Sequence, residues 1–372
     1  MSRHQSGYIW KIGRSWYGRW REDVIENGIA VRKQRSVKLA EVCDRYRCEA
    51  HVRPLLEDKL RPINDGHARP ESTLSVVEYT KLHFLPHVEA ECKPSTINGY
   101  KAMWRMYLEP RLGNIAMRDF RCVDATNLLA DIHRQQGIGR ATLRHCKALL
   151  SSIFTFAKRQ GVLDGINPVQ DAGIPRKAPV SKPTHAASPE EVLAMLDALN
   201  GVARRTVALI YLCGLRPGEA RGVRWEDYDG SRLVVRHSVW RTHVTAPKTA
   251  ESASPVPVCG TLAEILEADR KENGYILGGP TGKPVNLNNL AKRVVIPALR
   301  KAKIEWYGWY ALRRGLATLA TRVDSVLAAK GLLRHSNIAT TQQHYIKDVP
   351  EEAVRAVEKI DALFSKASGP VQ

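Results

Sequence analysis

The sequence predicts a mainly α-helical protein with small β elements, and three observations carry that prediction. Over most of the chain, apolar residues recur at the three- and four-residue spacing of amphipathic helices. Short stretches that alternate aromatic and basic residues lie before residue 40. Two proline-containing stretches without periodicity interrupt the helical pattern. We therefore expect a small N-terminal β-sheet module, a helical domain and a mixed α/β domain.

The first unit is expected over residues 1–60 as a small sheet followed by a connecting helix. Three stretches alternate aromatic or β-branched residues with arginine and lysine: residues 7–11, 15–21 and 29–37. Asn27-Gly28 precedes the third stretch, and this dipeptide is a strong signal for a hairpin turn. We predict that a helix follows over Leu39–Leu60.

Four aromatic side chains of this sheet allow two interpretations. They either line a basic groove for nucleic acid or form the core of a very small module: Trp10, Trp16, Tyr17 and Trp20. Because a small sheet is stable only when it buries one face, we expect at least half of them to be core.

The helical domain is predicted over residues 73–165, after a linker at residues 61–72. Lys93-Pro94-Ser95-Thr96 and Arg140-Ala141-Thr142 each have the residues of a helix start. Polar and basic side chains on these two helices are either ordinary solvated residues or contacts to phosphate. We take six of them as candidate DNA-binding residues: Thr96, Lys101, Arg105, Arg140, Arg144 and Lys147.

Residues 166–187 are predicted to be a second linker, because they contain four prolines and lack periodic apolar residues. Ser188-Pro189-Glu190-Glu191 then has the pattern of a capping box with proline at the first helical position. A third domain is therefore expected over residues 188–350.

Within this third domain we predict helices at residues 189–200 and 203–213 and strands at 232–240 and 253–258. Residues 351–372 are expected to form a C-terminal helix and tail. The apolar stripe of that helix packs either on its own domain or on a neighbouring protomer.

Charge is the first functional indication. The chain has 57 Lys and Arg against 38 Asp and Glu, a formal net charge of +19. Such a protein attracts polyanions, of which nucleic acid is the most common. The alternative at this point is a basic enzyme whose charge serves only solubility or localisation.

Other compositional features indicate the compartment. No run of about 18 apolar residues is present, so we expect no membrane span, and the first residues lack the apolar segment of a secretory signal. The seven cysteines form no CxxC pair. Free thiols in a reducing, cytoplasmic environment are therefore expected, rather than a zinc site or disulfides.

Five short motifs follow one another in the third domain. Each is weak alone, because a single arginine or lysine is usually a surface charge and a single tyrosine usually packs. Their residues are Arg216 in GLRPGE, Lys248 in APKTAES, Tyr310 and Arg313 in YALRRGLAT, His335 in LLRHSN, and Tyr345 in TTQQHY. In this order, over residues 188–347, they resemble the tyrosine recombinases, also called the phage integrase family.

The resemblance implies a site-specific recombinase, such as the integrase of a prophage or other mobile element. Such an enzyme cuts and rejoins double-stranded DNA through a 3′-phosphotyrosyl intermediate, without metal or other cofactor. It implies an arm-binding-like sheet module, a helical core-type DNA-binding domain and a mixed α/β catalytic domain. It also implies a homotetramer on paired DNA sites, possible help from accessory DNA-bending factors, and a cytoplasmic location at the nucleoid.

The resemblance assigns a role to each motif residue. Tyr345 matches the nucleophile, and Arg216 and Arg313 match the two arginines that clamp the phosphate. His335 matches a third donor to the phosphate. Lys248 matches the hairpin lysine that protonates the leaving oxygen. Glu219, three residues after Arg216, is expected to brace the pocket rather than to react.

Tyr310 departs from the family pattern, because histidine is usual at that place. A phenol donates a hydrogen bond but is a poor base near pH 7, so we expect slower cleavage or a shifted pH profile. Since both arginines remain, an active enzyme is expected. Tyr307 and Tyr310 are competing phenols, but neither follows His335 at the family's spacing.

Three alternatives stay open at this point. A type IB topoisomerase uses the same chemistry to relax DNA, although the N-terminal sheet and TTQQHY favour a recombinase. A catalytically weakened DNA-binding protein of the same fold would explain Tyr310. A basic metabolic enzyme lacks support, because residues 278–283 do not have the spacing of a phosphate-binding loop.

Overall fold

The computed structural model describes residues 4–66, 69–181, 183–246 and 255–334. The chain divides into two compact units, Met1–Lys182 and Pro183–Gln372. Both contain mostly helices with small antiparallel sheets, which confirms the predicted fold class. Within the described ranges, no helix combines the length and the apolar character needed to cross a membrane.

The first unit opens with a three-stranded antiparallel sheet in the order β1-β2-β3. Asn27 and Gly28 have φ angles of 49° and 80°, and a two-residue hairpin turn of type I′ requires positive φ at both positions. The three strands confirm the prediction, although the second and third are longer than expected. They are β1 (Tyr8–Ile12), β2 (Ser15–Glu26) and β3 (Ile29–Glu41).

The connecting helix begins later than the sequence predicts. Helix α1 spans Glu49–Asn64, because β3 continues to Glu41 and its Ala40 still pairs with Trp16 of β2. Alternating apolar residues at the end of a strand resemble the start of an amphipathic helix over so short a window. At its other end, α1 takes the first four residues of the predicted linker at 61–72.

One face of the sheet packs on α1. Ile9 and Trp16 are buried against the helix, and Trp20 is partly buried there. On the opposite face Trp10 and Tyr17 stack with ring centroids 5.6 Å apart. Half of the four aromatic side chains therefore belong to the small core, as expected.

A helical bundle completes the first unit, and its helices start at Pro94 and Arg140 as predicted. Turns of π-helix at Thr80–Phe84 and Trp104–Leu108 extend two of its helices. Trp104, Leu129 and Phe154 are fully buried in its core. The helices are α2 (Val76–Tyr79), α3 (Leu85–Glu91), α4 (Pro94–Met103), α5 (Cys122–Gln136) and α6 (Arg140–Arg159).

The segment that the sequence predicts to be a second linker packs on this bundle over part of its length. Val169, Ala172 and Ala178 are buried in the bundle core. The amide of Arg140 donates to the carbonyl of Pro179 over 2.9 Å. The proline-rich composition does not predict this packing, because isolated small apolar residues create no periodic pattern.

The second unit begins with the predicted capping box. The amide of Glu191 donates to Ser188 Oγ over 3.2 Å, and the Glu191 carboxylate accepts from the Ser188 amide over 2.8 Å. The helices that position the site are α7 (Pro189–Ala198), α8 (Gly201–Leu212), α9 (Pro217–Ala220), α10 (Gly260–Glu267), α11 (Leu287–Leu290), α12 (Ile296–Lys301), α13 (Trp309–Val323) and α14 (Val326–Leu333).

The strand predicted at residues 232–240 is divided between two small ladders. Strand β4 (Arg232–Leu233) pairs with β7 (Val256–Pro257), and β5 (Ser238–Trp240) pairs with β6 (His243–Thr245). The helix predicted at residues 351–372 lies outside the described residues.

Candidate active site

Arg216 lies where three helices meet. It is the residue before α9, and Gly214 two positions earlier has a φ of 59°. A Cβ atom on Gly214 would come within 2.9 Å of Leu316 Cδ2 on α13 and 3.0 Å of Leu333 Cδ2 on α14. Glycine therefore allows the turn that carries Arg216 to pack against both helices.

Arg313 lies on α13 and links that helix to the Gly214 turn and to the end of α14. The residue is 1% exposed, and its guanidinium donates to the carbonyl of Gly214 and, over 2.6 Å, to the carbonyl of Leu333. The structure thus brings Arg313 to the turn of Arg216.

Glu219 is the anion at the centre of this junction. Its Oε1 accepts from the Arg216 side chain over 2.7 Å, and its Oε2 accepts from the Arg216 amide over 2.9 Å. Oε2 also accepts from Arg334 over 2.7 Å. Burial opposes ionisation, but the charges of Arg334 and Arg216 hold the pKa of Glu219 below its ordinary value. The carboxylate is therefore ionised at neutral pH and braces Arg216, as expected.

Arg334 is a residue of this site that the sequence analysis missed. It follows α14 with φ 52° and ψ 51°, the left-handed conformation, and its amide donates to the carbonyl of Gly331 over 3.0 Å. It is 5% exposed. Its position in LLRHSN, directly before His335, could have indicated that it belongs to the site. From the sequence alone, however, a basic residue at that position is interpreted as an ordinary surface charge.

The cluster of Arg216, Glu219, Arg313 and Arg334 has a chemical consequence. The Arg216 and Arg334 guanidinium groups bind one carboxylate, and the Arg313 guanidinium bonds to the turn that carries Arg216. The cluster therefore keeps a positive surplus suited to an anion such as a phosphodiester. The Arg216 side chain is 31% exposed, whereas Arg313 and Arg334 are buried. Arg216 is thus the member that solvent reaches most readily.

Tyr310 lies in the first turn of α13 and is 55% exposed. Although it precedes buried Arg313 by one helical turn, its own side chain faces solvent. The other competing phenol, Tyr307, stacks on His185 with centroids 3.9 Å apart. Its hydroxyl donates to Glu305 over 2.7 Å, and this bond raises the pKa of Tyr307.

Three of the predicted catalytic residues, Lys248, His335 and Tyr345, lie outside the described residues. Their roles stay predictions. The hairpin that precedes Lys248 in the chain is described, and a second arginine missed by the sequence analysis holds it.

That arginine is Arg221, which is buried after α9. Its guanidinium donates to the carbonyls of Val285 over 2.7 Å, Val239 over 3.0 Å and Arg241 over 2.7 Å. Val239 and Arg241 belong to the β5–β6 hairpin, so Arg221 ties that hairpin to the end of α9. Since each donor binds a backbone carbonyl, Arg221 has a supporting role.

The six candidate DNA-binding residues of the first unit differ in their surroundings. Thr96, Arg105 and Arg144 are exposed, whereas Arg140 is partly buried. Lys101 forms an ion pair with Glu89, and the Lys147 ammonium donates to the carbonyl of Ala172 over 2.7 Å. Arg105 and Arg144 are therefore the most accessible charged candidates.

No metal site accompanies these clusters in the part of the chain that the structure describes: no three His, Cys, Asp or Glu side chains there are grouped to hold an ion. All seven cysteines are free thiols, and Cys146 and Cys213 are buried.

Curated relatives are similar to most of the chain, although no protein-family model matches it. A tyrosine recombinase XerC-like protein of Caldanaerobacter subterraneus subsp. tengcongensis is 24% identical, over 91% of this chain and 94% of the relative. Tyrosine recombinase XerC of Methylobacterium sp. (strain 4-46) is 29% identical, over 68% of this chain and 83% of the relative.

Solved structures share the fold. The Tn1549 transposon integrase in complex with a circular intermediate DNA aligns with a TM-score of 0.64 and 17% identity, over 77% of this chain and 99% of that one. A lambda integrase tetramer bound to a Holliday junction aligns with a TM-score of 0.56 and 14% identity, over 93% of this chain and 96% of that one.

Proposed function

The chain belongs to the tyrosine recombinase family, and from that premise we propose that it is a site-specific DNA recombinase of an integrating element. The observation that carries the proposal is the arginine cluster around Glu219. It places Arg216 at a turn accessible to solvent, with Arg313 bonded to the same turn. A phosphodiester is the anion that this reaction requires.

In the proposed reaction, the Tyr345 hydroxyl gives its proton to solvent water and its oxygen attacks the scissile phosphorus. A bond forms between that oxygen and phosphorus, and the bond from phosphorus to the 5′ oxygen breaks. The leaving oxygen takes a proton from Lys248, which gives a 5′ hydroxyl and a 3′-phosphotyrosine. Attack by the 5′ hydroxyl of another strand reverses these steps, so rejoining requires no ATP.

The proposed cationic residues act on the charge of the phosphate. Negative charge builds on its non-bridging oxygens in the transition state, and fixed guanidinium donors stabilise that charge without reorganising. Arg216 and Arg313 have this role, and His335 adds a donor. Tyr310 replaces the usual histidine and contributes a hydrogen-bond donor from its exposed position.

The proposal extends to partners and domain roles. Residues 1–60 serve as the arm-binding-like module, 73–165 as the core-type DNA-binding domain and 188–350 as the catalytic domain, joined by 166–187. The substrate is double-stranded DNA, which places the activity in the cytoplasm at the nucleoid. By analogy with the lambda integrase tetramer on a Holliday junction, four protomers assemble on paired sites. Accessory DNA-bending proteins take part in that assembly.

A trapping experiment tests the proposal without knowledge of the target. The protein is incubated with nicked half-sites of randomised sequence, from which the cleaved fragment diffuses away so that the covalent intermediate accumulates. The adduct is isolated under denaturing conditions and its DNA is sequenced. We expect a sequence-selective adduct from the wild type and from Tyr307→Phe, and none from Tyr345→Phe.

Two other outcomes would replace the proposal. Relaxation of plasmids without sequence preference would indicate a type IB topoisomerase. Salt-sensitive DNA binding without any adduct would indicate a DNA-binding protein of this fold that has lost cleavage.

A further inference from the structure

Arg334 has a backbone conformation that its side chain makes unfavourable. An L residue at φ 52° and ψ 51° brings its Cβ close to backbone atoms, whereas glycine adopts this conformation without that penalty. The Arg334 guanidinium is moreover buried, which is itself costly for a charge. Both costs indicate that the guanidinium contributes something that glycine would not.

Its contact identifies that contribution. Arg334 Nη2 lies 2.7 Å from Oε2 of Glu219, while the Arg216 side chain lies 2.7 Å from Oε1. The two guanidinium groups thus hold opposite oxygens of one buried carboxylate. This fixes the rotation of the carboxylate and, through it, the place of Arg216.

The charge of Arg334 is its second contribution to the site. Arg216 and Glu219 alone sum to zero, so Arg216 would be neutralised by its own brace. With Arg334 these three side chains sum to +1, so Glu219 alone no longer cancels the charge of Arg216. Arg313 supports the arrangement, because it donates to the carbonyl of Leu333, the residue before Arg334.

We propose that Arg334 is a positioning residue for strand cleavage: it neutralises and orients Glu219 so that Arg216 presents its charge to the scissile phosphate. The inference rests on the proposed function and adds a residue to it. Arg334 acts through Glu219.

The decisive substrate is one whose phosphate has lost its charge. In a methylphosphonate, a methyl group replaces one non-bridging oxygen, so the transition state needs less cationic stabilisation. A residue that acts on the charge of the phosphate therefore matters less on this substrate, whereas a residue needed only for folding matters equally on both.

The test measures the rate of adduct formation on the half-site selected above, with a normal or a methylphosphonate linkage. The variant is Arg334→Gly, which keeps the backbone conformation and removes the guanidinium. We expect a loss of about 10- to 100-fold on the phosphodiester, as for a small misplacement of a catalytic group. On the methylphosphonate we expect a loss below about 3-fold, relative to the wild type on the same substrate.

Arg205→Gln is the matched control, because Arg205 is also buried and its ion pair is with Asp269. It is expected to slow both substrates by the same factor. An equal loss on both substrates for Arg334→Gly, or no loss on either, would overturn the positioning role.

A second measurement does not depend on cleavage. Thermal unfolding is compared for Arg334→Gly, Glu219→Gln and the double variant. We expect the double variant to lose clearly less Tm than the sum of the two single losses, since each removes the same ion pair. Additive losses would contradict the coupling. A wild type that forms no Tyr345-dependent adduct would refute the proposed function, and the positioning role with it, even if the Tm coupling were present.

Discussion

Glu22 and Arg118, 96 positions apart in the chain, form a bidentate ion pair. Arg118 Nη1 and Nη2 lie 3.0 and 2.9 Å from the two carboxylate oxygens. Glu22 lies on β2 and is 4% exposed, and Arg35 of β3 adds a third contact at 2.6 Å. The sheet and the helical bundle are thus joined within one compact unit by a buried carboxylate and two guanidinium groups.

Glu22→Gln should destabilise this unit. The substitution removes a charge that two arginines bind, and hydrogen bonds to charged groups contribute about 1.5–3 kcal/mol each, so we expect a loss of about 2–3 kcal/mol in the free energy of unfolding. Urea denaturation followed by tryptophan fluorescence measures it. Glu57→Gln, an exposed position on α1, should stay within about 0.5 kcal/mol of the wild type. Equal effects of the two substitutions would show that the ion pair does not stabilise the unit.

The same pair predicts a pH dependence. Burial raises the pKa of Glu22, but bonds from Arg118 and Arg35 outweigh it and lower this pKa from 4.5. The stabilisation is therefore present above the unfolded pKa and is lost as pH falls through the lower folded pKa. The difference in stability between wild type and Glu22→Gln should shrink in acid. A constant difference from pH 7 to pH 3 would contradict this.

The exposed arginines of the helical bundle give a prediction for DNA affinity. Each of Arg105→Gln and Arg144→Gln should weaken binding to all sequences and reduce the slope of log K against log salt by about 1, the effect of losing one phosphate contact. Fluorescence anisotropy at several salt concentrations measures the slope. Arg134→Gln is the control, because Arg134 is exposed and pairs with Asp131. A salt slope equal to that of the wild type would remove Arg105 or Arg144 from the interface.

Tyr310→His should leave adduct formation equal or faster, because imidazole provides both the hydrogen-bond donor and a base near pH 7. Single-turnover rates between pH 6 and pH 9 measure the change, with Tyr310→Phe to remove the donor alone. A collapse of the rate in Tyr310→His would show that the phenol has a role of its own.

Thiol reactivity tests the burial of the two inner cysteines. Burial raises the pKa of Cys146 to about 11 and of Cys213 to about 12, so both stay protonated at pH 8. Iodoacetamide on the native protein should label the exposed thiols, which are Cys43, Cys48, Cys122 and Cys259. Peptide mapping by mass spectrometry identifies the labelled sites. Rapid labelling of Cys213 before denaturation would contradict the packing around Gly214 and α8.

Local chemistry explains what the sequence could predict. The Asn27-Gly28 turn, the capping box of Ser188 and the brace of Glu219 on Arg216 each join residues within four positions of one another, so their pattern is visible in the chain. The fold class follows from apolar spacing, which is also local.

Contacts between residues far apart in the chain are the ones that the sequence could not predict. Nothing near Glu22 indicates that Arg118 binds it, and nothing near Arg334 indicates that its partner is Glu219, 115 positions away. Val169 and Ala178 are buried by a surface that forms elsewhere in the chain. Each of these contacts forms only in the folded helical bundle or in the arginine cluster around Glu219. None of them produces a periodic pattern of residues in the sequence.

Locating the covalent bond tests the central claim most directly. The trapped protein–DNA adduct is digested with nuclease and protease, and tandem mass spectrometry identifies the residue that carries the remaining nucleotide. We expect a nucleotide joined through its 3′-phosphate to the Tyr345 oxygen. A nucleotide on Tyr310, Tyr307 or any other residue would contradict it.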